Sequence, residues 1–179
     1  VAEGREVLTG IEYLVLSDEI NQYRRVREQL NSIVVSLGGS DTHGVTPQVI
    51  EWLNRRKSSA TVILGPGFQH QDSLDRMGIK NISIKSPLKS LHAEFCKHDL
   101  LITGGGLTAF EAAGAGLPTI TIANEEWEID HAKYLERVGC SVYAGIHNSF
   151  DLTEAYQRLR IRKMSKNAMN FVNPDGGAT

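Results

Sequence analysis

Residues 99–111, Asp-Leu-Leu-Ile-Thr-Gly-Gly-Gly-Leu-Thr-Ala-Phe-Glu, decide how this chain folds. Asp99 to Thr103 is a short apolar run of strand length, with no alternation of polar and apolar residues. Such a run is expected where a strand is covered on both faces. Gly104, Gly105 and Gly106 end it, and an alanine-rich helix is expected from Leu107 to Ala115. A buried strand, a glycine turn and a helix make up the repeating step of a parallel α/β sheet.

The same step recurs on both sides. Strands are expected at Ser32–Leu37, Thr61–Leu64, Asn81–Lys85, Pro118–Ala123 and Ser141–Ala144. Helices are expected at Thr46–Lys57, Gln71–Met77, Leu88–Lys97, Glu125–Val138 and Leu152–Phe171. Pro47 suits a first helical turn, Gly139 a helix end, and Asp151 or Thr153 a helix cap. Gly10–Leu16 has the composition of an edge strand, and Glu19–Leu30 reads as helical. The expected fold is a Rossmann-like three-layer α/β/α domain with six parallel strands and a place for a seventh.

Bulk composition excludes several classes. Of 179 residues, 41% are hydrophobic and 22% charged, with a net charge of -2, which suits a globular domain without a nucleic-acid-binding stripe. The basic runs at Arg24–Arg27, Arg55–Lys57 and Arg158–Lys166 read as solvated helix faces. Cys96 and Cys140 form neither a Cys-x-x-Cys pair nor a disulfide framework, and a cytoplasmic location is expected. No apolar run is long enough for a membrane span. The first residues lack the pattern of a signal peptide. Val1 at the start and the turn-rich NPDGGAT at the end suggest part of a longer protein.

In an open parallel sheet, ligands lie beyond the carboxyl ends of the strands. Two loops there stand out. Leu37-Gly38-Gly39-Ser40-Asp41 offers bare backbone and a hydroxyl, or else a plain turn in which Ser40 or Asp41 caps a helix. The triple glycine at 104–106 carries an unfolded-state entropy of roughly 0.5–1 kcal/mol per glycine relative to alanine, which suggests that something bulky lies against it. The helix behind it would aim its free amides and positive dipole end at an anion such as a diphosphate. Glu111, one turn in, is placed to accept hydrogen bonds from the vicinal hydroxyls of a ribose. The alternative is an exposed glutamate stabilising the helix start.

Other motifs fit less well. Gly104-x-Gly106-x-x-Ala109 is a loose dinucleotide fingerprint, but it falls late in the chain rather than in the first β-α unit. Neither a P-loop nor a Gly-x-Ser-x-Gly elbow is present. The histidines show no helical metal-binding spacing. Glu125, Glu126, Glu128 and Asp130 read as the acidic first turns of a helix. No metal and no cofactor are expected.

LGGSD after one strand, followed by LLITGGGLTAFEAAGAGLPTITI, resembles the C-terminal domain of GT-B glycosyltransferase-like proteins. The nearest resemblance is to the UDP-sugar hydrolases of the pseudaminic-acid pathway and to spore-coat polysaccharide biosynthesis proteins. It covers nearly the whole chain, from EYLVLSDEINQYR just after the interdomain linker to NFVNPDGGAT. It implies one nucleotide-sugar-binding domain over residues 1–179, with residues 1–30 next to the linker. A UDP-sugar is the implied ligand, with surface polysaccharide or nonulosonate synthesis as the setting. By the same resemblance, Gly39, Ser40, Gly106, Leu107 and Thr108 would contact the diphosphate, and Gly38 and Gly105 are counted with them as nucleotide-binding. Glu111 would hold the ribose, and the loop with Ser86 and Leu88 would line the base. Glu128 stands where such proteins often carry a sugar-facing glutamine, with His131 a turn later. The catalytic base is expected on an N-terminal domain that is a further partner of this half. A nucleotide-sugar epimerase half and a non-catalytic binding module are the alternative readings.

Overall fold

The computed structural model describes residues 14–86 and 88–172. Seven strands form one sheet in the order β3-β2-β1-β4-β5-β6-β7. They are β1 (Ile33–Ser36), β2 (Ala60–Ile63), β3 (Ile82–Lys85), β4 (Leu100–Thr103), β5 (Thr119–Ala123), β6 (Ser141–Ile146) and β7 (Ser149–Phe150). β1 to β6 run parallel, and only β7 is antiparallel, against β6. The helices are α1 (Val45–Arg55), α2 (Gln71–Asp75), α3 (His92–Phe95), α4 (Leu107–Gly114), α5 (Glu126–Arg137), α6 (Leu152–Gln157) and α7 (Ile161–Phe171).

The unbroken apolar strands bury both faces. Ile33 and Val35 join one core cluster with Leu100, Ile102 and Ile120, while Val34 and Leu101 join a second. Successive side chains of a strand point to opposite faces, so each strand feeds two layers. α1 supplies Val49, Ile50 and Leu53 to the first layer. α4 supplies Ala109, Ala112 and Ala113 to the second. The small alanines of α4 let its backbone lie close to the sheet. Among the described residues, no helix is long and apolar enough to cross a membrane.

Several elements differ from the sequence expectation. The seventh strand is β7, which returns from β6 through His147 and Asn148. The Gly10–Leu16 expectation lies largely outside the described residues; within them Val15 makes an isolated bridge. Asp18–Tyr23 is a 3-10 helix, and residues 24–31 are not helical. Leu88–Lys97 contains only the short α3. The expected terminal helix breaks into α6 and α7 around Arg158–Arg160; Leu152, Ala155, Ile161 and Met164 pack in the first layer and Ala168 in the second.

The run Arg24–Arg27 is also not a solvated face. Arg27 is fully buried. Its guanidinium donates to the carbonyls of Phe95 (2.7 Å), Arg25 (2.8 Å), His98 (3.3 Å) and Ala115. Arg24 donates to Gly114 (2.7 Å) and Met169 (2.9 Å), and Arg25 to Cys96 and His98 (both 3.2 Å). The arginines thus satisfy the orphan carbonyls at the C-terminal ends of α3, α4 and α7, where cations are also favoured.

Candidate nucleotide cleft

β1 and β4 are neighbours, with Ser36 opposite Thr103. Each strand runs directly into a glycine turn, so the two turns emerge side by side at the carboxyl edge. A cleft of about 240 Å³ opens beside the first turn and reaches the start of α4. Ser36, Gly38 and Gly39 line it from β1, and Thr108 from the first turn of α4. Ile63, Pro66, Leu88 and Leu91 form its apolar side. Larger hollows lie elsewhere: about 430 Å³ beside Trp52 and Phe150, 450 Å³ beside Asn31 and Asn81, and 590 Å³ beside Arg160 and Lys166. None of these is lined by either glycine turn. Location at the strand ends matters more here than size.

The first turn is shaped by its neighbours. Asp41 is buried, with φ at 46°, and its carboxylate accepts from the α1 amides of Val45 (2.9 Å) and Thr46 (2.8 Å). Of the two residues considered for the cap, Asp41 fills that role, and Gly38, Gly39 and Ser40 stay exposed. Gly38 has φ at +82°, a conformation that favours glycine, and a Cβ on Gly38 or Gly39 would meet nothing within 4 Å. A third glycine loop supports this turn from behind. Gly67 donates its amide to Gly39 at 2.8 Å, and a Cβ on Gly65 would sit 2.3 Å from the carbonyl oxygens of Gly38 and Gly39.

The glycine triplet has a different cause from the one its composition suggests. Gly104 and Gly105 are buried. A Cβ on Gly105 would lie 2.7 Å from the Glu128 carbonyl oxygen and 2.8 Å from its Cβ, and one on Gly104 would lie 2.8 Å from the Asn124 amide nitrogen. The bare backbone makes room for the start of α5. Gly105 donates its N–H to the Glu128 carboxylate at 3.1 Å, so this amide is not open to a ligand. Gly106 stands at the N-terminus of α4, which no side chain caps and whose own first turn holds no acidic residue, although the Glu128 carboxylate lies beside it on the Gly105 amide. Leu107 is exposed, and Thr108 faces the cleft.

Glu128 is only 7% exposed. Its carboxylate accepts from Asn124 (2.7 Å) as well as Gly105, tying the β4 turn to the β5 turn. His131 is exposed on α5, with its ring edge-on to Trp127 and Phe110. Ser86 is exposed beside the cleft-lining Leu88, and Pro87 lies outside the described residues.

Glu111 follows Thr108 by three residues, on the same face of α4. Its Oε1 lies 3.1 Å from His92 Nε2, with both side chains 16% exposed. His92 Nδ1 in turn lies 3.3 Å from Glu19. The Ser90 hydroxyl donates to Glu19 at 2.8 Å. That bond, with help from His92 and Tyr23 and against the effect of burial, holds the Glu19 carboxyl below its usual range. His92 and the cleft-lining Leu91, Pro66 and Ser36 were not singled out from the sequence. The strand-terminating Gly65-Pro66-Gly67 was the one available signal.

A second polar group borders the same sheet edge. His43 stacks on His147 with ring centroids 3.6 Å apart and approaches Glu125 at 3.1 Å. His147 also bonds the Asn124 carbonyl at 2.8 Å. Among the described residues, no group of three or more His, Cys, Asp or Glu side chains is arranged to hold a metal ion.

No family model matches the chain. It is 30% identical over 144 residues to an uncharacterized protein of Methanocaldococcus jannaschii, a match covering 72% of this chain and 30% of that protein. Acinetobacter baumannii MurG superposes over 99% of this chain and 55% of its own length, with a TM-score of 0.65 at 16% identity. The spinosyn rhamnosyltransferase SpnG complexed with thymidine diphosphate covers 86% of this chain and 43% of its own length, with a TM-score of 0.63 at 17% identity. WaaG, a glycosyltransferase involved in lipopolysaccharide biosynthesis, covers 89% and 47%, with a TM-score of 0.59 at 21% identity. The chain spans 30% of its sequence relative and about half of these structures. Its mostly parallel sheet, layered helices and strand-end cleft form the Rossmann-like α/β fold found in GT-B glycosyltransferases.

Proposed function

We propose that this chain binds the UDP moiety of a nucleotide-sugar, as the C-terminal half of a glycosyltransferase or UDP-sugar hydrolase in surface polysaccharide or nonulosonate synthesis. The observation that carries this is the convergence of Gly38, Gly39 and Thr108 on one cleft, beside the uncapped start of α4. The diphosphate lies across the Gly38–Ser40 turn and the amides of Gly106, Leu107 and Thr108. The helix dipole and main-chain donors then stabilise the charge that develops on the departing nucleotide. Leu88 and Leu91 offer an apolar wall to the base, and Glu111 accepts from the ribose hydroxyls. The sugar extends past the Asn124–Glu128 turn, toward His131 or toward His43 and Glu125. The base that activates the attacking hydroxyl or water belongs to a preceding N-terminal domain.

Titration of the chain with UDP, followed by amide NMR shifts, tests this reading. Movement confined to residues 38–41, 86–88 and 104–111 is expected. Absence of any movement at millimolar UDP would favour a non-catalytic module instead. Glu111→Ala should weaken UDP binding by roughly 1–3 kcal/mol, the range for a hydrogen bond to a charged group. Unchanged affinity in calorimetry removes its ribose role.

A further inference from the structure

We propose that His92 is a positioning residue for nucleotide binding, holding Glu111 in the orientation that lets its carboxylate receive the ribose. This rests on the UDP reading above. A glutamate side chain on an open helix face samples several rotamers, and ordering it on binding costs free energy. Here a partner for the carboxylate is already in place. His92 Nε2 reaches Glu111 at 3.1 Å, and His92 is itself fixed from the other side by Glu19 at 3.3 Å.

The chain of contacts continues inward. Glu19 is held by the Ser90 hydroxyl at 2.8 Å and by Tyr23 at 3.2 Å. The His92 ring also packs edge-on against Phe95, with centroids 5.7 Å apart, and Phe95 is fully buried. The imidazole therefore has a rigid support, and the carboxylate it holds inherits that rigidity. Leu91, the residue before His92, lines the cleft, as does Thr108 three residues before Glu111. The pair sits at the boundary of the cleft, where a ribose joined to a base on Leu88 and a phosphate on Thr108 would lie.

Carboxylate positioning can be separated from general support of the fold by a ligand that lacks the groups the carboxylate receives. UDP and 2′,3′-dideoxyuridine diphosphate are titrated calorimetrically into the wild-type chain, His92→Phe and His92→Gln. Phenylalanine keeps the ring against Phe95 but has no donor, and glutamine returns an N–H donor. The wild type is expected to bind UDP about tenfold more tightly than the dideoxy ligand. His92→Phe should lose most of that preference while its affinity for the dideoxy ligand stays unchanged. His92→Gln should regain part of it. Equal weakening toward both ligands, or a full preference retained in His92→Phe, overturns the proposal while leaving the UDP reading intact. A wild type that binds both ligands equally removes the ribose role of Glu111, and with it that of His92. A wild type that binds neither overturns the UDP reading itself.

Discussion

Replacing Glu128 by alanine tests what the glycine triplet is for. The carboxylate is 7% exposed and accepts from two main-chain amides, Gly105 at 3.1 Å and Asn124 at 2.7 Å. Each is a hydrogen bond to a charged acceptor, of the kind that contributes about 1.5–3 kcal/mol. Loss of both should therefore cost roughly 3–5 kcal/mol, a large share of a total stability of about 5–15 kcal/mol. For a chain of this size, that corresponds to a fall in melting temperature of roughly 10 °C. Thermal melts followed by circular dichroism, with urea titration as a second measure, would read it. Glu128→Gln keeps an acceptor oxygen and should recover a good part of the loss. A Glu128→Ala melting temperature within about 2 °C of wild type, at the scale just given, would refute the argument. Altered sugar preference in such an undamaged variant would return Glu128 to the ligand side.

Gly65→Ala places a methyl group 2.3 Å from two backbone oxygens, so the Gly38–Gly39 turn must shift. A stability loss of about 1–3 kcal/mol by urea titration, with weaker UDP binding, is expected. Arg27→Ala removes the buried guanidinium's bonds to the carbonyls of Phe95, His98, Arg25 and Ala115, and an unfolding cost of about 2–4 kcal/mol is expected, measured by the same titration. Burial lowers the Arg27 guanidinium to about 10, so it remains charged at neutral pH. Burial raises the Glu94 carboxyl, but the hydrogen bonds from Lys85, Lys97 and His98 outweigh it and hold the group at about 2, against an ordinary 4.5. A depressed carboxyl stabilises the fold above its unfolded value. That stability is lost as pH falls from about 4.5 through about 2. With the two lysines partly solvated, the loss should be about 1–3 kcal/mol, and Glu94→Gln should flatten this limb of the pH–stability curve.

The strand and helix order was legible because strands covered on both faces leave continuous apolar runs such as IVVS and LLIT. The two glycine turns were legible as candidates because each follows such a run. Their juxtaposition depended on β1 pairing with β4 across intervening elements, which no local pattern records. The reason for Gly104 and Gly105 was hidden for the same cause, since their neighbour Glu128 is far along the chain. His92 was not singled out because its two partners, Glu19 and Glu111, come from separate elements. The Arg24–Arg27 run was misread because charge patterning takes no account of carbonyls at distant helix ends. The β6–β7 return could have been found: His147 and Asn148 form a two-residue connection, and asparagine favours such turns.

The Asp41 cap gives the cleft a direction. Helix α1 spends its first amides on a carboxylate of its own loop, and α5 begins with Glu126 and Glu128. Both helices thus arrive at the sheet edge with their positive ends already neutralised from within. α4 alone among these three has neither a capping side chain nor an acidic residue in its own first turn, and the one carboxylate beside its start, Glu128, is already held by the Gly105 and Asn124 amides. A negatively charged guest would feel an uneven field, pulled toward one wall rather than suspended between two. Its uncharged remainder would then lie along the opposite wall, which fixes which way round the guest enters.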